Sequence, residues 1–225
     1  PLYYYSDFLY IGTAYPWVRP PQDVYGWPIY AYDGVNAAYS GQWGSVTVDA
    51  NVWAGGFTHN NAPYNTKIDY GAKTNEKWKG IHGAYITLTK DEWNGRVMVM
   101  RHKANTWTPA YDDQPETVWV PNLQTTIIAL SLNYDGANWL LRSELNRFKQ
   151  DTSKAQYDYY LPGVGYRVGD WTAMLTQSNY KTKDLGTAFG NPPQGIEARR
   201  SRSVALRYDL NKNWALKAQY DVSKD

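Results

Sequence analysis

Along most of the chain, apolar and polar side chains alternate one by one. From Ser45 to Ala54, Val46, Val48, Ala50, Val52 and Ala54 share one face, and Ser45, Thr47, Asp49, Asn51 and Trp53 share the other. A period of two over this length predicts a strand that is dry on one side and wet on the other. Thr126 to Tyr134 repeats the pattern, with Ile128, Leu130, Leu132 and Tyr134 opposed to Ala129, Ser131 and Asn133. Ser203 to Tyr208 and Trp214 to Asp221 do the same, and no window carries a comparable helical stripe. The pattern predicts ten strands, over residues 35–41, 43–56, 76–89, 94–105, 122–134, 137–149, 156–168, 171–183, 198–209 and 213–223. An eleventh is expected near Leu2 to Tyr10. Globular strands average about 5–6 residues, whereas membrane-spanning strands need about 9–11. Most of these strands fall in the longer class.

The connections alternate between short and long. Short ones fall at Gly41-Gln42, Thr89 to Trp93, Asp135-Gly136, Gly169-Asp170 and Leu210 to Asn213. Asp-Gly and Gly-Asp supply the positive φ that tight hairpin turns require. Longer connections fall at 57–75, 106–121, 150–155 and 184–197, and another runs from Ile11 to Gly34. One end of the sheet is trimmed and the other elaborated, as in transmembrane β-barrels.

Composition sharpens this picture. The 225 residues include 11 Trp and 21 Tyr but only 4 Phe, with a mean hydropathy of −0.64 and a net charge of +2. No apolar run exceeds four residues, Val97 to Met100 being one example. That excludes a transmembrane helix, which needs about 20. The near-neutral balance argues against a nucleic-acid partner, which selects strongly basic domains. There are no cysteines, so disulfides and thiolate metal sites are excluded.

The positions of the tryptophans are more informative than their number. Trp43, Trp93, Trp139, Trp171 and Trp214 are each expected directly after a short turn, with Tyr39, Tyr134, Tyr166 and Tyr208 just before four of those turns. Rings at one height, facing the apolar side, predict a membrane-interface girdle. Trp53, Trp78, Trp107 and Trp119 fall near the opposite strand ends and predict a second belt. Opposite the apolar face lie Arg96, Arg142, Glu144, Asn146, Arg167, Arg207, Lys217 and Asp221. If Val, Leu and Trp face lipid, these residues line a wet lumen. Arg96, Arg142 and Lys217 each follow a girdle Trp by three residues and form a basic ring expected to attract anions.

The hairpin RYDLNKNWALKAQYD, Arg207 to Asp221, resembles the last hairpins of Gram-negative outer-membrane porins and porin-like channels. The segment AYPWVRPPQDVYG, Ala14 to Gly26, followed by Asp33-Gly34, is similar to a stretch of proteobacterial porin-like proteins. The resemblance implies an all-β, antiparallel up-and-down transmembrane barrel in the outer membrane. It implies passage of small hydrophilic solutes, no reaction catalysed, contacts with lipid and lipopolysaccharide, and trimeric assembly. It also implies a loop folded into the pore. The candidate is 11–34, with Tyr15, Trp17, Arg19 and Asp23, stiffened by Pro20 and Pro21; an ordinary extracellular loop fits the same residues. Arg199, Arg200 and Arg202 are candidates for lipopolysaccharide phosphates, since Arg pairs well with phosphate. The chain lacks an initiator Met, a leader and a terminal aromatic residue, so it is expected to be an internal piece of a larger barrel, with about 10–12 strands here.

Catalytic and metal chemistry find little support. His59, His82 and His102 lack ligand spacing, and Asp112-Asp113 with Glu116 lacks the central Gly of a calcium loop. No metal or cofactor is expected. The rival reading is a soluble all-β carbohydrate-binding or carbohydrate-active protein, with Asp49 and Glu144 as acid and base. A third is a structural or adhesive barrel with a plugged lumen.

Overall fold

The computed structural model describes residues 15–21, 32–60, 74–110, 115–151, 154–183 and 198–224. Ten strands run in order: β1 (Asp33–Trp43), β2 (Val46–His59), β3 (Asn75–Lys90), β4 (Trp93–Thr108), β5 (Thr117–Asp135), β6 (Trp139–Gln150), β7 (Gln156–Val168), β8 (Trp171–Lys183), β9 (Ala198–Asn211) and β10 (Trp214–Lys224). Each pairs antiparallel with the next, giving one up-and-down sheet in the order β1 to β10. The expected eleventh strand, at Leu2 to Tyr10, lies outside the described residues.

Two of the boundary differences have a clear local reason. The first hairpin turns at Gly44, not at Gly41-Gln42. Gly44 takes the left-handed φ of +61°, while Gly41 stays extended opposite Val48. Trp43 therefore ends β1 rather than following a turn. The other change is β5, which starts five residues early. Its ladder with β4 slips around Asn122, whose φ is +45° and whose N–H donates to Asn105 Oδ1 at 2.7 Å. A bulge of this kind lets a strand continue past Pro121, where an unbroken ladder would stop.

Pairing sorts the side chains onto two faces. The outer face carries Val97 opposite Leu130, Leu130 opposite Leu145, and Leu175 opposite Val204, all exposed. The inner face carries Ile127, Leu140, Glu144, Leu161, Met174 and Ala205, all buried. An isolated water-soluble sheet would hide the first set and expose the second. The inversion suits a sheet whose outer solvent is hydrocarbon.

Candidate functional site: the inner wall

The turn end of the inner wall is basic. Arg96, Arg142, Arg167, Arg207 and Lys217 all occupy inner-face register positions, as does Glu144. Asp135, at the end of β5, accepts from Arg142 Nη2 at 2.6 Å and lies 2.8 Å from Arg167 Nη2. Arg142 Nη1 also donates to the Tyr134 carbonyl, and Arg167 Nη1 to that of Gly136. These contacts fix the guanidinium planes near the β5–β6 turn. Arg207 pairs with Asp209, two residues along β9, at 2.6 Å. A cavity of about 150 Å³ lies among Arg142, Arg167, Arg207, Asp209, Thr172 and Pro16. Three guanidinium groups meet two carboxylates there, leaving positive charge in excess. Arg96 stands apart: its Nε donates to Thr87 and its guanidinium lies 4.5 Å from the centre of the Tyr85 ring.

Residues 15–21 run along this wall. The side chain of Trp17 is wholly buried among Leu161, Met174 and Ala205, and its Nε1 donates to Thr176 Oγ1 at 2.8 Å. Lys217 Nζ donates to the carbonyls of Tyr15 and Trp17. Gln219 Oε1 accepts from the backbone N–H of Val18 at 2.9 Å and of Arg19 at 3.3 Å. Arg19 reaches Asp221 at 3.6 Å. Burial raises the pKa of the Tyr15 hydroxyl, with Arg142 opposing and Glu144 adding to the rise. Of the four candidates in the 11–34 loop, three lie against the inner wall, and Asp23 lies outside the described residues.

The far half of the inner wall is aromatic, which sequence reasoning did not foresee. Trp78, Ile81, Met100, Ile127, Phe148 and Tyr159 form a buried cluster, with Trp53 and Phe57 packed against it. His102 stacks on Trp78, centroids 3.8 Å apart. The expectation that Trp53 and Trp78 form a second outward belt is therefore corrected: both face inward. Trp107 shares the outward parity of Arg101 and Lys103 and is half-buried, and the Trp119 side chain lies outside those described. The lumen-facing surface is accordingly not uniformly polar. It is basic near the turns and, towards the long connections, sets the apolar cluster among buried polar side chains such as Glu76, Thr125 and Ser178.

All five turn-proximal tryptophans lie on the outer face, each exposed. Trp93, Trp139 and Trp171 each begin a strand and sit directly across from Tyr134, Tyr166 and Tyr208. Their ring centroids lie 4.9, 4.9 and 4.5 Å apart. Cross-strand aromatic pairs of this kind stabilise a sheet as well as marking its level. Among the described residues, no group of His, Cys, Asp and Glu could hold a metal ion.

No protein-family model matches the chain, and no curated protein does. Solved structures do. One is OmpTdeltaL8, a loop L8 deletion mutant of OmpT, an outer membrane protein of Vibrio cholerae: 12% identity and a TM-score of 0.53, over 84% of this chain and 56% of that one. Another is the CymD monoaromatic hydrocarbon channel, at 12% identity and a TM-score of 0.39, over 84% and 67%. The chain thus spans just over half of the OmpT structure it matches. The first match shows the fold, which is that of an outer-membrane β-barrel protein. It also corrects one expectation. That the chain catalyses nothing is withdrawn, because it shares its fold with OmpT and a barrel fold does not settle what its site does.

Proposed function

We propose that the chain forms the wall of a porin-like outer-membrane channel that passes small hydrophilic solutes down their gradients, with anions preferred. The supporting observation is the inverted sheet. Next to the tryptophan level its outer face is an uncharged band, while five cations line the turn end of the inner face. In a low-dielectric wall the cations of the turn end, partly offset by Asp49, Asp135, Asp209 and Glu144, raise the local anion concentration. Residues 15–21, held to β8, β9 and β10, narrow the path in this reading.

The protein refolded in detergent and added to a planar bilayer is expected to give discrete conductance steps. Under a KCl gradient its reversal potential should have the sign of chloride preference. R142E with K217E should move that potential towards potassium. Steps without any shift would remove the basic wall from the account. A detergent-free monomer that cleaves sugars would replace the channel with the carbohydrate reading. A barrel that inserts but never conducts would favour an occluded lumen, to which the buried Trp17 and the inner aromatic cluster would then belong.

A further inference from the structure

Above the uncharged band, the outer face changes character abruptly. On β3, β4, β6, β8 and β9 the half of the outer face towards the long connections carries two cations each, two residues apart, and β10 adds Lys224. All of them are exposed. Asp158, paired with Arg147 at 2.7 Å, is the one acid among the described outer-face strand positions at this level on β3 to β10. On β4 the distance from Trp93 to Arg101 is eight residues, about 26 Å along the strand at roughly 3.3 Å each. For a strand tilted by about 40° this is roughly 20 Å across the layer, so the cations begin near the outer edge of an apolar band about 25 Å tall.

Register adds an independent observation. Lys79 stands directly across from Lys103, and Arg200 directly across from Lys224. Like charges in such positions destabilise a sheet. Arg200 Nε donates to a neutral amide oxygen, Asn179 Oδ1, at 3.1 Å. Two separate like-charge pairs thus lie at the same level, facing outward, with no carboxylate between them among the described residues.

We infer that this outward basic collar binds the phosphate groups of an anionic lipid surface, and so sets the long-connection end of the sheet in a phosphate-rich leaflet. A phosphate between Lys79 and Lys103 converts repulsion into two charge-assisted hydrogen bonds. The inference rests on the outer-membrane reading of the fold and is independent of conduction. It extends the expectation for Arg200 and Arg202 to a belt spanning β3 to β10. Arg199 stands apart from it, on the inner-face parity of its strand.

The test is thermal unfolding of the refolded protein in neutral detergent, with and without bisphosphorylated lipid A. Inorganic phosphate and phosphatidylcholine serve as controls. Lipid A should raise the transition by a few degrees, about what 1–2 kcal/mol produces in a chain of this size, and the controls should not. K79Q/K103Q and R200Q/K224Q should each behave oppositely in the two media. They should stabilise the protein slightly in neutral detergent, where only repulsion is lost, and reduce the gain from lipid A. Equal stabilisation by phosphatidylcholine or by inorganic phosphate would overturn the inference, as would variants that keep the full lipid A effect. A protein that conducts but gains nothing from lipid A loses this inference alone. One that gains stability yet passes no ions loses the channel reading alone.

Discussion

Leu130→Arg should destabilise the folded protein in a bilayer by about 2–4 kcal/mol, the cost of a cation on the lipid face near mid-membrane. Leu130 lies on the outer face between Val97 and Leu145 and is 42% exposed. In a water-soluble sheet, a residue so exposed would accept arginine at little cost. The matched control is Ser40→Arg, on the inner face of β1 directly across from Asp49. That change should lie within about 0.5 kcal/mol of neutral. Reversible denaturant unfolding in lipid vesicles reads both. Equal costs at the two positions would remove the distinction between a lipid face and a lumen face.

Trp17→Ala should release residues 15–21 from the wall. The substitution empties a fully buried pocket among Leu161, Met174 and Ala205 and leaves Thr176 Oγ1 without its donor. Truncating a buried Trp costs about 3–5 kcal/mol, more than the exposed contacts of Val18 and Arg19 can offset. The amides of Val18 and Arg19, held by Gln219, should lose their protection from hydrogen exchange. If the segment narrows the path, single-channel conductance should rise in the same variant. Unchanged protection at both amides would mean that Trp17 does not anchor the segment.

The strands were legible because alternation is a local signal, and the five turn-proximal tryptophans were legible because each lies beside a turn. Register was not legible. Gly41 and Gly44 offered rival turns three residues apart, and only pairing with β2 selects Gly44. The inward aromatic cluster was hidden by a bulge. Gly80, at φ +57°, shifts the β3 ladder so that Trp78 and Ile81, at odd spacing, share the inner face. The lysines flanking Trp78, Lys77 and Lys79, were the available clue: both point outward, so Trp78 between them points in. For Trp53 the alternation already placed the ring on the polar face, and the structure agrees. The hydrogen bonds of Lys217 to Tyr15 and Trp17 join positions about 200 residues apart, beyond any periodicity. The outer basic collar likewise emerges only once the strands are aligned, since each strand alone shows at most a few charged residues near a loop.

The central claim is that alternate residues of one strand face lipid and lumen. The chain has no cysteine, so single cysteines can be placed without background. On β2, positions 50 and 52 belong to the outer face, and 49 and 51 to the inner face. A fluorophore at each, in protein reconstituted into vesicles, should show opposite quenching. A lipid-attached nitroxide should quench Ala50→Cys and Val52→Cys, and aqueous iodide should quench Asp49→Cys and Asn51→Cys. Iodide quenching of all four alike, or the reverse assignment, would contradict the account.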